Sequence, residues 1–248
     1  MQLTPQSVQD LNARFESAST ESILQWAWES FGIRAAIGTS FQGAGLVMIH
    51  LARTAKLSLP VFTLDTGLLF SETLELKKRL EDFFQIKIES LEPELSVERQ
   101  AQVHGPELWK RDPDSCCYMR KVEPLQKKLQ QLDCWITGLR REQSDTRSGI
   151  GIVELYEFDP VLNREIVKLN PMARWKREAV WEYLRAHRIP YNPLHDQGYR
   201  SIGCVPCTSK AGSGENERAG RWIGFNKTEC GIHTFMKRVE KGNEGNKE

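Results

Sequence analysis

Apolar residues recur at helical spacing along the first part of the chain. Leu11, Phe15, Ile23 and Leu24 fall on one face of a 3.6-residue period. This pattern predicts helices over residues 1–31 that lie as an N-terminal cap on the core. After residue 31 the pattern changes to short apolar blocks that end in glycine or polar residues.

The short apolar blocks predict the strands of a sheet. They end at Gly38, span 59–64, 84–88 and 133–138, and form an alternating pair at 150–158 and 165–169. Helical patterns follow the first two blocks, through Leu46 to Leu51 and after the capping residue Ser71. Successive strand–helix units favour a parallel sheet with helices on both faces. We therefore expect residues 32–212 to form one α/β domain.

Composition and charge narrow the class of protein. The chain has 248 residues, 40% of them hydrophobic, and a formal net charge of +1. A chain of this length buries a sizeable core without disulfides, and its charge balance gives no reason to expect a nucleic-acid partner. No apolar run reaches the ~18 residues of a membrane span. The polar N-terminus lacks a signal peptide, which predicts a cytoplasmic protein whose thiols stay reduced.

Two strand ends carry candidate ligand contacts. The first strand runs into a turn containing Ser40, Phe41 and Gly43, and a helical pattern follows. Unpaired N–H groups at such a helix N-terminus suit a phosphate or sulfate group, although an ordinary strand–helix turn has the same local pattern. Asp65 follows the second strand, where polar groups of an open α/β sheet face the ligand crevice; a turn-forming role is the alternative.

Four cysteines have the spacing of metal ligands. They form an adjacent pair and a Cys-x-x-Cys pair: Cys116, Cys117, Cys204 and Cys207. Four thiolates suit either Zn²⁺ or an iron–sulfur cluster, and spacing alone leaves both open. The adjacent pair is unusual for zinc, and Arg120 and Lys121 would stand beside a negatively charged cluster. Both features favour the cluster.

The C-terminal segment combines cations with a further thiol. Arg218 and Arg221 stand three residues apart, and Cys230 precedes His233 by the same spacing. Neighbouring cations lower the pKa of a thiol and make it a nucleophile. Little periodicity is present, so we predict a flexible segment over residues 213–248 that carries a catalytic cysteine. Arg141 follows the strand at 133–138 and is a further candidate for anion binding.

Seven motifs together resemble a known family, the assimilatory adenylyl-sulfate and phosphoadenylyl-sulfate reductases. The motifs follow the family's order over nearly the whole chain from about residue 35: Ser40-Phe41-x-Gly43-Ala44, Leu64-Asp65-Thr66-Gly67, Cys116-Cys117-x-x-Arg120-Lys121-Val122, Gly138-x-Arg140-Arg141-x-Gln143-Ser144, Ser201-Ile-Gly-Cys204-x-Pro-Cys207-Thr208, Arg218-x-Gly-Arg221-Trp222 and Glu229-Cys230-Gly-Ile-His233. The combination is specific, whereas no single motif would suffice.

The resemblance implies a fold and a reaction. The fold is adenine nucleotide α-hydrolase-like, with three layers, a mostly parallel sheet and a mobile C-terminal tail. Cys230 would attack the sulfur of adenylyl sulfate (APS), and AMP would leave an enzyme S-sulfocysteine. Thioredoxin or glutaredoxin would then release sulfite. In this reading residues 32–212 bind the nucleotide and carry a [4Fe-4S] cluster, and the enzyme is a homo-oligomer, a dimer or tetramer.

The resemblance also suggests residue roles. The cluster ligands would be Cys116, Cys117, Cys204 and Cys207, and the catalytic residues Cys230 and His233. The substrate contacts would be Ser40, Phe41, Gly43, Asp65, Lys121, Arg141, Arg218 and Arg221. Members with all four ligands mainly use APS. Here Gly45 and Leu46 replace an acidic pair common in cluster-containing members, which suggests a reductase of phosphoadenylyl sulfate (PAPS), or of both substrates, as the alternative.

Two other classes compete with this reading. A related enzyme that adenylates or thiolates RNA would need the Ser-Gly-Gly-x-Asp-Ser signature of ATP pyrophosphatases, which is missing. A zinc-stabilised binding module would give no role to Cys230, so replacement of that residue would leave its function intact.

Overall fold

The computed structural model describes residues 3–159, 164–212 and 216–239. Its α-helices in chain order are α1 Pro5–Phe15, α2 Thr20–Phe31, α3 Gly43–Thr54, α4 Ser71–Phe84, α5 Val97–His104, α6 Leu108–Arg111, α7 Pro113–Cys117, α8 Glu123–Leu129 and α9 Arg177–Ala186. Its strands are β1 Ala35–Gly38, β2 Val61–Leu64, β3 Ile88–Leu91, β4 Cys134–Thr137, β5 Val153–Asp159, β6 Arg164–Leu169 and β7 Lys237–Arg238. Of the predicted segment 213–248, residues 213–215 and 240–248 lie outside the described ranges.

All seven strands form one sheet in the order β3-β2-β1-β4-β6-β5-β7. Neighbours from β3 to β6 run parallel, whereas β5 pairs antiparallel with both β6 and β7. The predicted α/β class with a mostly parallel sheet is therefore confirmed. Strand β7 belongs to the C-terminal segment, so that segment is docked on the sheet here. None of the helices in the described part of the chain is long and apolar enough to cross a membrane.

One strand was predicted in the wrong place. Residues 84–88 read as a strand, but Phe84 ends α4 and the strand begins at Ile88. Leu76, Leu80 and Phe84 are buried at four-residue spacing, which keeps the chain helical to that point. Gln85 then adopts a left-handed conformation, with φ of 52°, and terminates the helix.

Successive strand residues face opposite layers of helices. Ala35, Ile37, Cys134 and Ile136 belong to the core cluster that includes α2, α3 and α9. Ala36 and Trp135 lie in a second cluster with residues of α8. This alternation is the two-residue period of a strand buried on both faces. Cys134 is fully buried, in keeping with a core thiol rather than a ligand.

The predicted helical cap lies against the strands through specific contacts. Helix α1 packs on β5, where the Asn12 side chain donates to the Val153 carbonyl at 2.8 Å and accepts from its N–H at 3.0 Å. Helix α2 packs on β1 and α3. Ser19 caps α2 by accepting from the N–H of Ser22.

The chain order changes direction at β1. Strand β2 lies on one side of β1, and β4 lies on the other. The loops that follow β1 and β4 begin side by side at the carboxyl ends of these strands, and a crevice lies outside the sheet there. Gly138 allows the end of β4 to lie close to helix α3, because a Cβ at this position would lie only 3.1 Å from the Gly45 nitrogen.

A buried ion pair joins the neighbouring strands β5 and β6. Lys168 Nζ lies 3.8 Å from Glu154 Oε2, and each side chain is only 2% exposed. Arg238 of β7 also approaches Glu154, at 3.5 Å. Burial lowers the pKa of Lys168 to about 8, although the Glu154 carboxylate opposes the shift. Removing the carboxylate would leave a buried cation without its counter-charge.

We expect Glu154→Gln to lower the free energy of unfolding by about 3 kcal/mol, measured by urea denaturation. Adding Lys168→Met should recover most of this loss, because the uncompensated charge is then gone. As a control, Glu107→Gln breaks an exposed pair with Lys110 and should leave the midpoint unchanged. An equal loss in the single and double variants would show that the charge is not the cause.

Candidate active site

A cleft lies at the carboxyl ends of β1 and β4 and is covered by the C-terminal segment. Its walls include the turn after β1, the loop after β4 and residues 200–233, and β2, Lys121 and α9 add further lining. Ser40, Gly43, Lys121, Arg218 and Arg221, all predicted substrate contacts, line it. The predicted nucleophile Cys230 and its neighbour His233 line it as well.

The turn after β1 is held by Thr39. Its Oγ1 accepts from the Phe41 N–H at 3.0 Å, and Phe41 adopts a left-handed conformation with φ of 58°. The Phe41 side chain is 2% exposed and anchors the turn in the core. Gln42 extends across the cleft edge and donates to the Ile202 carbonyl at 3.1 Å. Phe41 therefore shapes the turn, and Ser40 and Gly43 line the cleft.

Helix α3 points its N-terminus at the cleft. Gln42 occupies the N-cap position, but its side chain makes no capping hydrogen bond to the helix, and Gly43 and Ala44 line the cleft. First-turn N–H groups have no acceptor within their own helix, so these groups suit an anionic ligand. Gly45 cannot carry a side chain here, because its Cβ would lie 2.3 Å from Thr39 Oγ1. Leu46 is fully buried, so an acidic side chain at either position would not project freely into the cleft.

The four candidate ligand cysteines come from two segments of the chain. Cys116 and Cys117 end α7, while Cys204 precedes the short 3-10 helix Val205–Cys207 and Cys207 ends it. All four are free thiols, and Cys204 lies 3.2 Å from Thr66 Oγ1. Within the described ranges, no group of three or more His, Cys, Asp or Glu side chains is arranged to hold a metal ion.

The charges of these cysteines affect one another's pKa values. Burial, together with the neighbouring Cys117 and Cys204, raises the pKa of Cys116 to about 11. Burial also raises the pKa of Cys207, again with contributions from Cys204 and Cys116. Negative charge on one sulfur is therefore felt by the others, as expected for thiols that share one environment.

Two cations are buried beside the cysteines, and neither has a carboxylate in hydrogen-bonding contact within the part of the chain that the structure describes. Arg120 is 3% exposed and donates to the Thr66 carbonyl at 2.5 Å and to Gln100 Oε1 at 2.8 Å. Lys121 is 9% exposed and lines the cleft. Burial alone would lower the pKa of Lys121, but Cys204, Cys230 and Cys117 outweigh it and raise the pKa.

Three further cations lie close to the ring of Trp222, which lines the cleft. Its buried ring lies 4.5 Å from the Arg221 guanidinium, 5.5 Å from that of Arg218 and 5.6 Å from the Lys227 ammonium. Arg221 also donates to the Cys207 carbonyl at 3.2 Å. These stacked positions hold positive charge at the cleft with little freedom of the side chains.

Cys230 has the properties of an activated thiol. Burial raises the pKa of a thiol, but here Lys121, the Ile232 N–H, Arg221 and Arg218 outweigh burial and lower the pKa of Cys230. The residue is only partly buried and lines the cleft. A thiolate is therefore favoured at the point where the cations converge.

His233 is held as a neutral ring. It stacks on Trp135 with centroids 5.1 Å apart and planes inclined by 15°. Burial, followed by Lys168, Arg147 and Arg218, lowers the pKa of His233 well below its usual value. Its Nδ1 and the Trp135 Nε1 are buried and have no hydrogen-bond partner among the residues that the structure describes. His233 is thus suited to fixing the closed segment rather than to carrying charge.

Besides the buried Phe41, two predicted substrate contacts, Asp65 and Arg141, lie away from the cleft lining. The Asp65 carboxylate accepts from the Gly67 N–H at 3.0 Å, which is the turn-forming role. Arg141 donates to the Ile150 carbonyl at 3.0 Å and forms an ion pair with Glu16 of the region after α1. The neighbouring Arg140 lines the cleft instead.

Several cleft residues have no role among the sequence-based predictions: Arg140, Arg147, Trp135 and His195. The two arginines follow the predicted strand at 133–138, and that position was the signal that could have identified them. Nothing local marks Trp135, because an aromatic residue within an apolar strand reads as core.

Comparisons with known proteins first define the class. The FMN adenylyltransferase of Candida glabrata shares the fold, with a TM-score of 0.55 at 12% identity. The crystal structure of phosphoadenylyl-sulfate reductase from Candida auris, in a phosphate complex, aligns with a TM-score of 0.73 at 27% identity. The alignment covers 84% of this chain and 99% of that one. The predicted adenine nucleotide α-hydrolase-like fold is confirmed.

Sequence relatives then define the family. Residues 34–210 match the phosphoadenosine phosphosulfate reductase domain. The adenosine 5'-phosphosulfate reductase of Salinibacter ruber is 43% identical over 225 residues, covering 90% of this chain and 87% of the relative. Adenosine 5'-phosphosulfate reductase 2 of Bacillus subtilis is 43% identical over 212 residues, covering 85% and 88%. The chain belongs to the phosphoadenosine phosphosulfate reductase family.

The electrostatic environment of Cys230 generates a pH prediction. Alkylation of Cys230 by iodoacetamide, followed by peptide mass spectrometry, should reach half its maximal rate below pH ~8.5, the ordinary pKa of a free cysteine. Lys121→Met should move this midpoint to higher pH, because the ammonium stabilises the thiolate. Lys110→Met removes an exposed lysine that lies outside the cleft and should not move the midpoint. A midpoint that does not respond to Lys121→Met would contradict the assignment.

Proposed function

We propose that this protein reduces adenylyl sulfate to sulfite and AMP. The Cys230 thiolate attacks the sulfur atom, forming a sulfur–sulfur bond as the bond between sulfur and the AMP phosphate oxygen breaks. AMP leaves, and the enzyme carries an S-sulfocysteine. A dithiol protein, thioredoxin or glutaredoxin, then attacks the Cys230 sulfur and displaces sulfite. Its second thiol closes the disulfide, so that the dithiol supplies both electrons and Cys230 returns as a thiol.

The observation that carries this proposal is the convergence of cations on Cys230 in the cleft. Lys121, Arg221 and Arg218 all lower the pKa of the Cys230 thiol. The same cations suit the sulfate group and the departing phosphate, whose charge grows as the bond breaks. Family membership and the relatives' names support the choice of substrate.

The arginines divide into paired and available groups. Arg140 forms an ion pair with Glu217, Arg147 with Glu229, and Arg141 with Glu16. Among the described residues no carboxylate lies within ion-pair distance of Lys121 or Arg221, and both line the cleft. We therefore assign Lys121 and Arg221 to the substrate's anionic groups, with Arg218 and the N-terminus of α3 assisting.

The chemistry of four cysteine donors suits a [4Fe-4S] cluster, although within the described ranges these side chains are not arranged as a formed metal site. Arg120 and Lys121 are buried and have no carboxylate within ion-pair distance among the described residues, and an anionic group held by four thiolates would balance them. Cys116, Cys117, Cys204 and Cys207 would hold the cluster, which would supply electrostatic and structural support at the cleft. Electrons come from the dithiol, so no step passes through it.

Phosphoadenylyl sulfate is the second candidate substrate, because the Candida auris structure aligned with this chain is of a reductase named for it. Comparison of kcat/KM for the two substrates separates the candidates. As further parts of the proposal, the protein is cytoplasmic and assembles as a dimer or tetramer.

Cys230→Ser should abolish sulfite formation and leave AMP binding unchanged. The serine hydroxyl is not a nucleophile of comparable strength, whereas the cations of the cleft remain in place. Turnover with a dithiol protein and calorimetric titration with AMP measure the two properties. Cys134→Ala, which alters a buried thiol in β4, serves as the control and should retain turnover. Activity in the serine variant would refute the covalent mechanism.

Anaerobically purified protein should contain about four iron and four acid-labile sulfide atoms per chain. Cys117→Ser should lower both together, because a thiolate ligand is lost, whereas Cys134→Ala should change neither. One zinc per chain without sulfide would contradict the cluster assignment and reopen the choice of substrate.

A further inference from the structure

Two ion pairs of one kind fasten the C-terminal segment to the loop after β4. Arg140 donates to both Glu217 oxygens at 2.8 and 2.6 Å. Arg147 donates to both Glu229 oxygens at 2.9 and 2.8 Å. Each glutamate directly precedes a residue of the proposed mechanism, Glu217 before Arg218 and Glu229 before Cys230.

The Arg147–Glu229 pair is sheltered and well supported. The two side chains are 10% and 13% exposed. Arg147 also donates to Gln143 Oε1 at 2.6 Å, so each end of its guanidinium is engaged. Arg218 approaches the same Glu229 carboxylate at 3.2 Å. Bidentate pairs with little water contact are among the stronger ionic interactions in proteins.

The position of the pair connects the sheet to the nucleophile. Arg147 ends the 3-10 helix Asp145–Arg147, in the loop that follows the central strand β4. Glu229 is joined to Cys230 by a single peptide bond. Fixing the Glu229 carboxylate therefore restricts where the thiolate can lie relative to the cleft.

We propose that Arg147 and Glu229 are positioning residues that hold the Cys230 thiolate over the cleft for attack. This inference rests on the proposed reaction and adds the residues that align its nucleophile. While the pair is intact, the Glu229 carboxylate fixes where the neighbouring Cys230 sulfur lies relative to the cleft.

Breaking the pair should therefore slow the attack of Cys230 on the substrate. We expect Glu229→Gln to slow AMP release in a single turnover without dithiol by about 10- to 100-fold, the range for hydrogen bonds to charged groups. AMP affinity should not change. In the pH profile of Cys230 alkylation, the plateau rate should rise because the thiol is more accessible. The midpoint should also rise because the thiol leaves the cations.

A double variant and a matched control separate positioning from general damage. Arg147→Gln combined with Glu229→Gln should cost no more than Glu229→Gln alone, because one interaction is lost in either case. Asp133→Asn breaks a bidentate pair with Arg34 that is 42–47% exposed, and it should change none of these measurements.

Two outcomes would overturn the inference. One is a wild-type alkylation plateau in Glu229→Gln. The other is additive losses from Arg147→Gln and Glu229→Gln. Failure of the proposed function would look different: wild-type enzyme would release no AMP from adenylyl sulfate. The alkylation experiment would still test the Arg147–Glu229 pair in that case, because it needs no substrate.

Discussion

The site depends on the buried ammonium of Lys121. It is nearly excluded from water, which is costly for a charge unless negative groups lie close. The neighbours that stabilise the charge are the sulfur atoms of Cys204, Cys230 and Cys117 in their thiolate form. One cation therefore couples the proposed cluster ligands to the proposed nucleophile. The same charge favours the thiolate of Cys230 and, in the proposed reaction, would attract the anionic substrate.

The sequence was most informative where function depends on local chemistry. The glycine turn after β1 and the arginines and Cys230 of the C-terminal segment were predicted as site residues, and the structure brings them to one cleft at the strand ends of the sheet. Arg140 and Arg141 show where such reasoning stops. They are adjacent at the end of β4, yet Arg140 lines the cleft and Arg141 pairs with Glu16. Backbone direction at that point decides between them.

Ion pairs between residues far apart in the chain could not be predicted from the sequence either. Arg147 and Glu229 are separated by 82 residues, and nothing in either local pattern indicates the other. Their pairing places the C-terminal segment on the cleft, while β7 extends the sheet with the residues that follow. The cations of the site therefore fall into two groups. Arg140 and Arg147 form ion pairs with the C-terminal segment. Lys121 and Arg221 are the cations that the proposed reaction assigns to the substrate.

The most direct test of the account is mass spectrometry of the enzyme after reaction with stoichiometric adenylyl sulfate in the absence of any dithiol. The account predicts one sulfonate group per chain, carried by the peptide containing Cys230, with an equal amount of AMP released. Later addition of thioredoxin should remove the group as sulfite. Sulfite formation without a modified enzyme, or a sulfonate on any other cysteine, would contradict the central role of Cys230.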